Sequence, residues 1–104
     1  MKVLLLGGNG FLGPHVVKEL EGAYDLRITD IMEIDSAHET MRVDVSNLAQ
    51  VREAARGTDV IVNCSVLRPD RKVAFDVNTT GTYNAVRVAA EMGHTRFINT
   101  GPHF

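Results

Sequence analysis

Three glycines near the start of the chain have the spacing of a phosphate-binding turn. Gly7, Gly10 and Gly13 follow the apolar run Lys2–Leu6 and open an amphipathic stretch, Phe11–Leu20. A helix that begins there presents unpaired main-chain N–H groups and a partial positive charge to the turn. Glycines, which have no Cβ, let a diphosphate approach those groups closely. The spacing therefore predicts a dinucleotide site, and a strand-to-helix turn without a ligand is the alternative.

A carboxylate, Asp30, stands at the end of the second predicted strand, 17 residues beyond Gly13. At that point a carboxylate accepts hydrogen bonds from both hydroxyls of an adenosine ribose, and it repels the 2′-phosphate that distinguishes NADP from NAD. Over residues 28–41 the sequence has no Arg or Lys to bind that phosphate, and Arg27 lies inside the strand. The sequence therefore favours NAD over NADP, and a solvated strand end is the alternative for Asp30.

The elements that must position these residues alternate between short apolar runs and amphipathic stretches. The predicted strands are Lys2–Leu6, Asp25–Asp30, Thr40–Val45, Asp59–Cys64 and Thr95–Thr100. The predicted helices are Phe11–Leu20, one that carries Leu48, Val51, Ala54 and Ala55 and is capped by Ser46 or Asn47, and Phe75–Met92. Residues 31–38 are predicted as a loop, and Gly22, Gly57 and Gly93 are expected to end the helices. This order predicts an α/β fold with a doubly wound parallel sheet (Rossmann-like), five strands in the order 3-2-1-4-5.

The length and composition are those of a single globular domain. The 104 residues suffice for one domain, and 44% hydrophobic with 23% charged residues is ordinary for a soluble protein. A formal net charge of -2 without a basic cluster argues against a nucleic-acid or membrane-surface partner. The single cysteine, Cys64, excludes an intrachain disulfide, and no apolar stretch approaches the ~18 residues of a membrane span, so we expect a cytoplasmic protein. No metal-ligand spacing joins the histidines, which are His15, His38, His94 and His103.

Five short segments, in their order along the chain, are similar to segments of one family. They are Gly7–Gly13 (Gly-Gly-Asn-Gly-Phe-Leu-Gly), Asp44-Val45, Asn63-Cys64-Ser65, Asn78–Thr82 (Asn-Thr-Thr-Gly-Thr) and Arg96-Phe97-Ile98. Together they resemble the N-terminal part of the extended short-chain dehydrogenase/reductase family, the NAD-dependent epimerase/dehydratase group. The resemblance covers the whole chain, although Leu6 stands where a Thr is usual in that family.

The resemblance implies roles for individual residues. In the first segment it implies that Gly7, Gly10, Phe11, Leu12 and Gly13 form the cofactor loop. It also implies that Asp44 and Val45 contact the adenine, that Cys64 and Ser65 lie beside the nicotinamide ribose, and that Asn78 belongs to the cofactor site. From the residues alone, Asp44 could equally cap a helix or be solvated, Asn78 could be a helix N-cap, and Cys64 a small core residue.

The family's catalytic residues have no full counterpart here. The resemblance implies acid–base chemistry by the Tyr of a Tyr-x-x-x-Lys motif, whose ammonium lowers the phenol pKa, with help from a Ser or Thr after the fifth strand. Tyr83 is followed by Arg87 rather than Lys and precedes the fifth strand, so we interpret Tyr83 as a core or interface residue. Pro102 occupies the place of the catalytic hydroxyl, which leaves Thr100 as the candidate catalytic residue.

Two functions fit these observations. The first is the NAD-binding domain of an epimerase, dehydratase or reductase that acts on a sugar nucleotide or another alcohol or ketone, with the substrate domain absent from residues 1–104. The second is a non-catalytic module that binds or senses a dinucleotide. In either case the last strand would be an unprotected sheet edge, which predicts a homo-oligomer or a larger assembly.

Overall fold

A parallel sheet flanked by helices forms the framework of the chain. The computed structural model describes residues 1–8, 13–64, 82–94 and 96–99. Its strands are β1 (Lys2–Leu6), β2 (Asp25–Asp30), β3 (Glu39–Arg42), β4 (Val60–Asn63) and β5 (Arg96–Asn99). Its helices are α1 (Gly13–Leu20), α2 (Leu48–Ala55) and α3 (Thr82–Glu91).

All strand pairs of the sheet are parallel. The central strand β1 pairs with β2 on one side and with β4 on the other, while β3 pairs with β2. This confirms the predicted parallel α/β class and the order 3-2-1-4 of the first four strands. The strand β5 lies beside β4. Because the strands are parallel, their carboxyl ends meet at one edge, which is where ligands bind in open α/β sheets.

The sheet buries an apolar layer on each face, since successive side chains of a strand point to opposite sides. One layer packs against α2 and α3 and contains Leu4, Leu6, Val43, Val45, Val51, Ala54, Ala55, Ile61, Ala85, Val88 and Ala89. The other contains Val3, Leu5, Leu26, Ile28, Val60, Val62 and Cys64, with Val16, Val17 and Leu20 of α1 against it. Strands buried on both faces explain the continuous apolar runs of β1 and β4 in the sequence.

The third strand is shorter than predicted. The prediction of Thr40–Val45 is wrong at its end, because β3 stops at Arg42. Val43 and Val45 still pack into the core, at 3% and 8% exposure, from the loop that follows the strand. Their alternation with polar residues is therefore a burial pattern that continues beyond the strand. The predicted loop at 31–38 is confirmed.

Side chains close both ends of α2. Asn47 is the N-cap, since its Oδ1 accepts a hydrogen bond from the Gln50 N–H at 3.1 Å. At the other end, the Arg27 guanidinium donates to the carbonyl oxygens of Ala54, at 2.6 Å, and of Arg56. Arg27 therefore satisfies carbonyl groups that the last turn of a helix leaves unpaired. In the described ranges of the chain, no helix is long and apolar enough to cross a membrane.

Candidate functional site

The turn after β1 is fastened to β2. Gly7 has a φ of 78°, in the left-handed region that favours glycine, and this reverses the chain at the carboxyl edge. The Gly8 N–H then donates to the Thr29 carbonyl oxygen at 2.8 Å. A Cβ on Gly8 would lie 2.1 Å from the Ile28 Cγ2 atom, so only a residue without a side chain fits against β2 here. The turn therefore has a fixed position relative to the end of the second strand.

The start of α1 packs tightly against the same turn. A Cβ on Gly13 would lie 2.4 Å from the Gly8 carbonyl oxygen and 2.7 Å from that of Gly7. Pro14 follows in the first helical turn, where its missing N–H costs little. The start of α1 therefore packs directly on the turn, and a helix N-terminus in this position suits an anion bound by main-chain amides. Gly10, Phe11 and Leu12 lie outside the described residues.

Asp30 occupies the end of β2, immediately after the residue that accepts from Gly8. Its side chain is buried at 5% exposure, and its Oδ1 atom accepts a hydrogen bond from the Met32 N–H at 3.1 Å. A solvated strand end, the alternative considered for this residue, is therefore wrong. The Asp30 carbonyl also accepts from the Val43 N–H at 2.8 Å, which holds the ends of β2 and β3 together.

The loop after β3 presents Asp44 in a defined orientation. Its Oδ1 atom accepts hydrogen bonds from the Ser46 N–H at 3.0 Å and the Ser46 hydroxyl at 2.7 Å. The Asp44 N–H donates to the Gln50 Oε1 atom at 2.8 Å. Asp44 does not cap α2, because Asn47 has that role. Its Oδ2 atom has no hydrogen-bond partner in the part of the chain that the structure describes, so it can accept one from a ligand.

An open cavity of about 360 Å³ lies where β2 and β3 end. Its lining combines an exposed apolar side chain, a guanidinium, a carboxylate and an amide: Ile31, Arg42, Val43, Asp44 and Gln50. The Arg42 guanidinium lies across the strand ends, with Nε and Nη2 each 3.4 Å from the Ile31 carbonyl oxygen. A planar aromatic base with an amino group would find both an apolar surface and a hydrogen-bond acceptor in this cavity.

Two buried amides join α3 to this edge of the sheet. The Asn84 Nδ2 group donates to the Val45 carbonyl oxygen at 3.0 Å, and the Asn63 Nδ2 group is 3.4 Å from the Thr82 hydroxyl. The Val45 side chain belongs to the core, so it offers little surface to a ligand. Cys64 is fully buried in the other apolar layer, in agreement with its interpretation as a small core residue.

The structure brings together only some of the predicted site residues. Gly7, Gly13, Asp30 and Asp44 meet at the carboxyl edge of the sheet, with Val45 and Cys64 behind them. Ser65, Asn78 and Thr100 lie outside the described residues. Tyr83 is 62% exposed and therefore is not a core residue. The described residues contain no group of three or more metal-ligating side chains, and His103 lies outside them.

Sequence reasoning missed Arg42, Gln50 and Asn84. Arg42 lies one residue beyond residues 28–41, in which the sequence has no Arg or Lys, and the strand register places it beside Asp30. Gln50 and Asn84 lie on helices, where a polar residue ordinarily indicates a solvent-facing position. Asn84 is instead 4% exposed. Helical spacing from the buried Val88 could have indicated that it faces the core.

The order and parallel pairing of the strands define a Rossmann-type fold, in which ligands bind at the carboxyl edge of the sheet. Residues 4–102 match the 3-beta hydroxysteroid dehydrogenase/isomerase family. The chain belongs to that family, and the resemblance to the extended short-chain dehydrogenases/reductases is thereby confirmed.

Nearly the whole chain matches part of several longer proteins. A sterol-4-alpha-carboxylate 3-dehydrogenase (decarboxylating) from Mus musculus is 28% identical over 105 residues, covering 95% of this chain and 29% of its own length. A 3-beta-hydroxysteroid dehydrogenase from Mycolicibacterium neoaurum is 30% identical over 114 residues, covering 95% and 31%. Among solved structures, a mutant uronate dehydrogenase from Agrobacterium tumefaciens complexed with NAD is 27% identical, with a TM-score of 0.83, covering 94% and 39%. The chain thus spans about a third of the length of the curated relatives it matches.

Proposed function

We propose that this chain binds NAD at the carboxyl edge of the sheet and is the nucleotide-binding domain of an NAD-dependent oxidoreductase. The observation that carries the proposal is the buried Asp30 carboxylate, fixed beside a turn that has room only for glycine. The NAD complex of the similar uronate dehydrogenase supports it.

Different residues of the site bind different parts of NAD. The N-terminus of α1 takes the diphosphate, because its unpaired main-chain N–H groups and partial positive charge favour an anion. Asp30 takes the ribose hydroxyls, and Asp44 Oδ2 accepts from the adenine amino group. The outward-facing Ile31, at 52% exposure, covers one side of the base. When bound, NAD supplies the chemistry by accepting a hydride from an alcohol carbon.

Asp30 gives the sharpest test of this proposal. Calorimetric titration should detect NAD binding by the wild type, and Asp30→Asn should weaken it about tenfold, because a neutral amide replaces a charged acceptor of ribose hydroxyls. Asp25→Asn is the matched control, since Asp25 is exposed at the opposite end of the same strand. Equal losses in both variants, or no binding by the wild type, would contradict the proposal.

The activity of the whole protein is a wider proposal. All three similar proteins named above are dehydrogenases, which supports oxidation of an alcohol or reduction of a ketone, and a sugar nucleotide or a sterol fits that class. A Tyr-x-x-x-Lys motif outside residues 1–104 would provide the tyrosine that acts as acid and base in this reaction. Thr100 stays the candidate hydroxyl, and association into a homo-oligomer stays a prediction.

A further inference from the structure

The register between β2 and β3 places Arg42 beside Asp30, the residue that we assign to the ribose hydroxyls. Asp30 and Arg42 are direct partners in this parallel pair, and both are the last residues of their strands. Partners in adjacent strands project to the same side of the sheet. Arg42 therefore starts from the strand position next to Asp30, although it is 12 residues away along the chain.

The Arg42 guanidinium is available to a ligand. Its described contacts are the two 3.4 Å approaches to the Ile31 carbonyl oxygen, which are long for charge-assisted hydrogen bonds. No carboxylate in the described ranges forms an ion pair with it, whereas Arg27 and Arg52 are paired with Glu39 and Glu91. It also lines the cavity at the strand ends and is exposed. A surface arginine with this freedom can turn toward an anion at low cost.

From this juxtaposition we propose that Arg42 determines how the site discriminates between NAD and NADP. This inference rests on the proposed nucleotide site. A 2′-phosphate on the adenosine ribose would be repelled by Asp30 but would lie within reach of the neighbouring guanidinium, which suits phosphate through paired N–H donors. Arg42 offsets part of the repulsion, so the domain accepts NADP as a second, weaker ligand. NAD has no charge at that position and depends little on Arg42.

Titration of NAD and NADP into the wild type, Arg42→Gln and Arg42→Lys tests the proposal. Arg42→Gln should weaken NADP about tenfold or more and change NAD less than about twofold, because only NADP loses a charged hydrogen-bond partner. Arg42→Lys should retain part of the NADP affinity, since an ammonium keeps the charge without the paired donors. Arg56→Gln, which removes one positive charge from an exposed site at the end of α2, is the matched control.

The outcomes separate this inference from the nucleotide site itself. Equal weakening of NAD and NADP by Arg42→Gln would show that the guanidinium contacts a part common to both molecules, such as the adenine, and would overturn the inference. A wild type that binds NAD but shows no NADP binding at millimolar concentration would also overturn it, while leaving the proposed function intact. A wild type that binds neither nucleotide would overturn both.

Discussion

At the scale of single residues, the glycines of the first turn are defined by what a side chain would strike. Gly13 has backbone atoms of Gly7 and Gly8 on the side where a Cβ would project. Backbone atoms cannot move aside as the end of a flexible side chain can, so the space is closed to any other residue. This constraint is geometric, and it would hold even without a ligand.

Gly13→Ala should therefore both destabilise the fold and weaken nucleotide binding. Overpacking of this kind costs roughly 1–3 kcal/mol, and displacement of the helix start would misplace the main-chain amides at the N-terminus of α1. Denaturant unfolding and titration with NAD would measure the two effects. Gly22→Ala is the control, because a Cβ there meets nothing within 4 Å, and its stability should stay within about 1 kcal/mol of wild type. Wild-type behaviour of Gly13→Ala would contradict the packing at the turn.

At the scale of elements, Arg27 connects the sheet to the end of α2. Its side chain is only 14% exposed and pairs with Glu39 at 3.0 Å while it donates to two helix carbonyls. The Lys2 ammonium and the Arg27 guanidinium beside Glu39 hold the pKa of that carboxyl below its ordinary value of 4.5. Arg27 lies within β2, and its side chain caps the C-terminal end of α2.

Arg27→Met should destabilise the protein by about 1–3 kcal/mol, because the carbonyls of Ala54 and Arg56 would lose a charged donor. Thermal unfolding at neutral pH would measure the loss. Arg56→Gln removes the same charge from an exposed site, where Arg56 pairs with the exposed Glu53, and should change stability by less than about 0.5 kcal/mol. A similar effect of the two substitutions would show that charge, rather than capping, matters at Arg27.

The sequence predicts the elements better than the contacts between them. Apolar runs locate β1 and β4 because both strands are buried on two faces, and the alternation of polar and apolar residues predicts the bounds of β2, Asp25–Asp30. The end of β3 is mistaken because Val43 and Val45 stay buried beyond the last residue of the strand. Asp30 can be predicted as a candidate from the sequence because it is the last residue of a strand, at the edge of the sheet where ligands bind. Arg42 and Asn84 are missed because strand register and the packing of α3 join residues that are distant in sequence.

At the scale of the whole molecule, His94 links protonation to the stability of the fold. The Thr58 hydroxyl donates to the Ala55 carbonyl at 2.7 Å, so it accepts from His94 Nε2–H at 2.8 Å. His94 Nδ1 is buried and has no partner among the described residues. Burial lowers the pKa of His94 below its ordinary value of 6.5, although Asp59 partly opposes this shift. A proton on Nδ1 would place charge in a site without an acceptor.

Stability should therefore fall as the pH is lowered from 7.5 to 5.5. In that interval the unfolded chain, with the histidine pKa near 6.5, binds a proton that folded His94 resists, so acid favours unfolding. Glu39 and Glu91, whose pKa values are held below 4.5 by neighbouring cations, stay ionised and contribute little there. Urea unfolding at both pH values should show a smaller decrease for His94→Gln than for wild type. His15→Gln, at an exposed site, should keep the full decrease, and an equal decrease in all three proteins would exclude His94 as the origin.

The hydrogen bond from the Gly8 N–H to the Thr29 carbonyl limits the size of the ligands that fit the proposed site. This bond joins the turn to β2 one residue before Asp30. The distance between the turn and the Asp30 carboxylate is therefore fixed. In the proposed NAD site, this distance sets how far the bound diphosphate lies from the ribose hydroxyls. An ADP analogue with one extra methylene between the ribose and the 5′-oxygen keeps both groups and the charge, so we expect it to bind more weakly than ADP in a calorimetric titration.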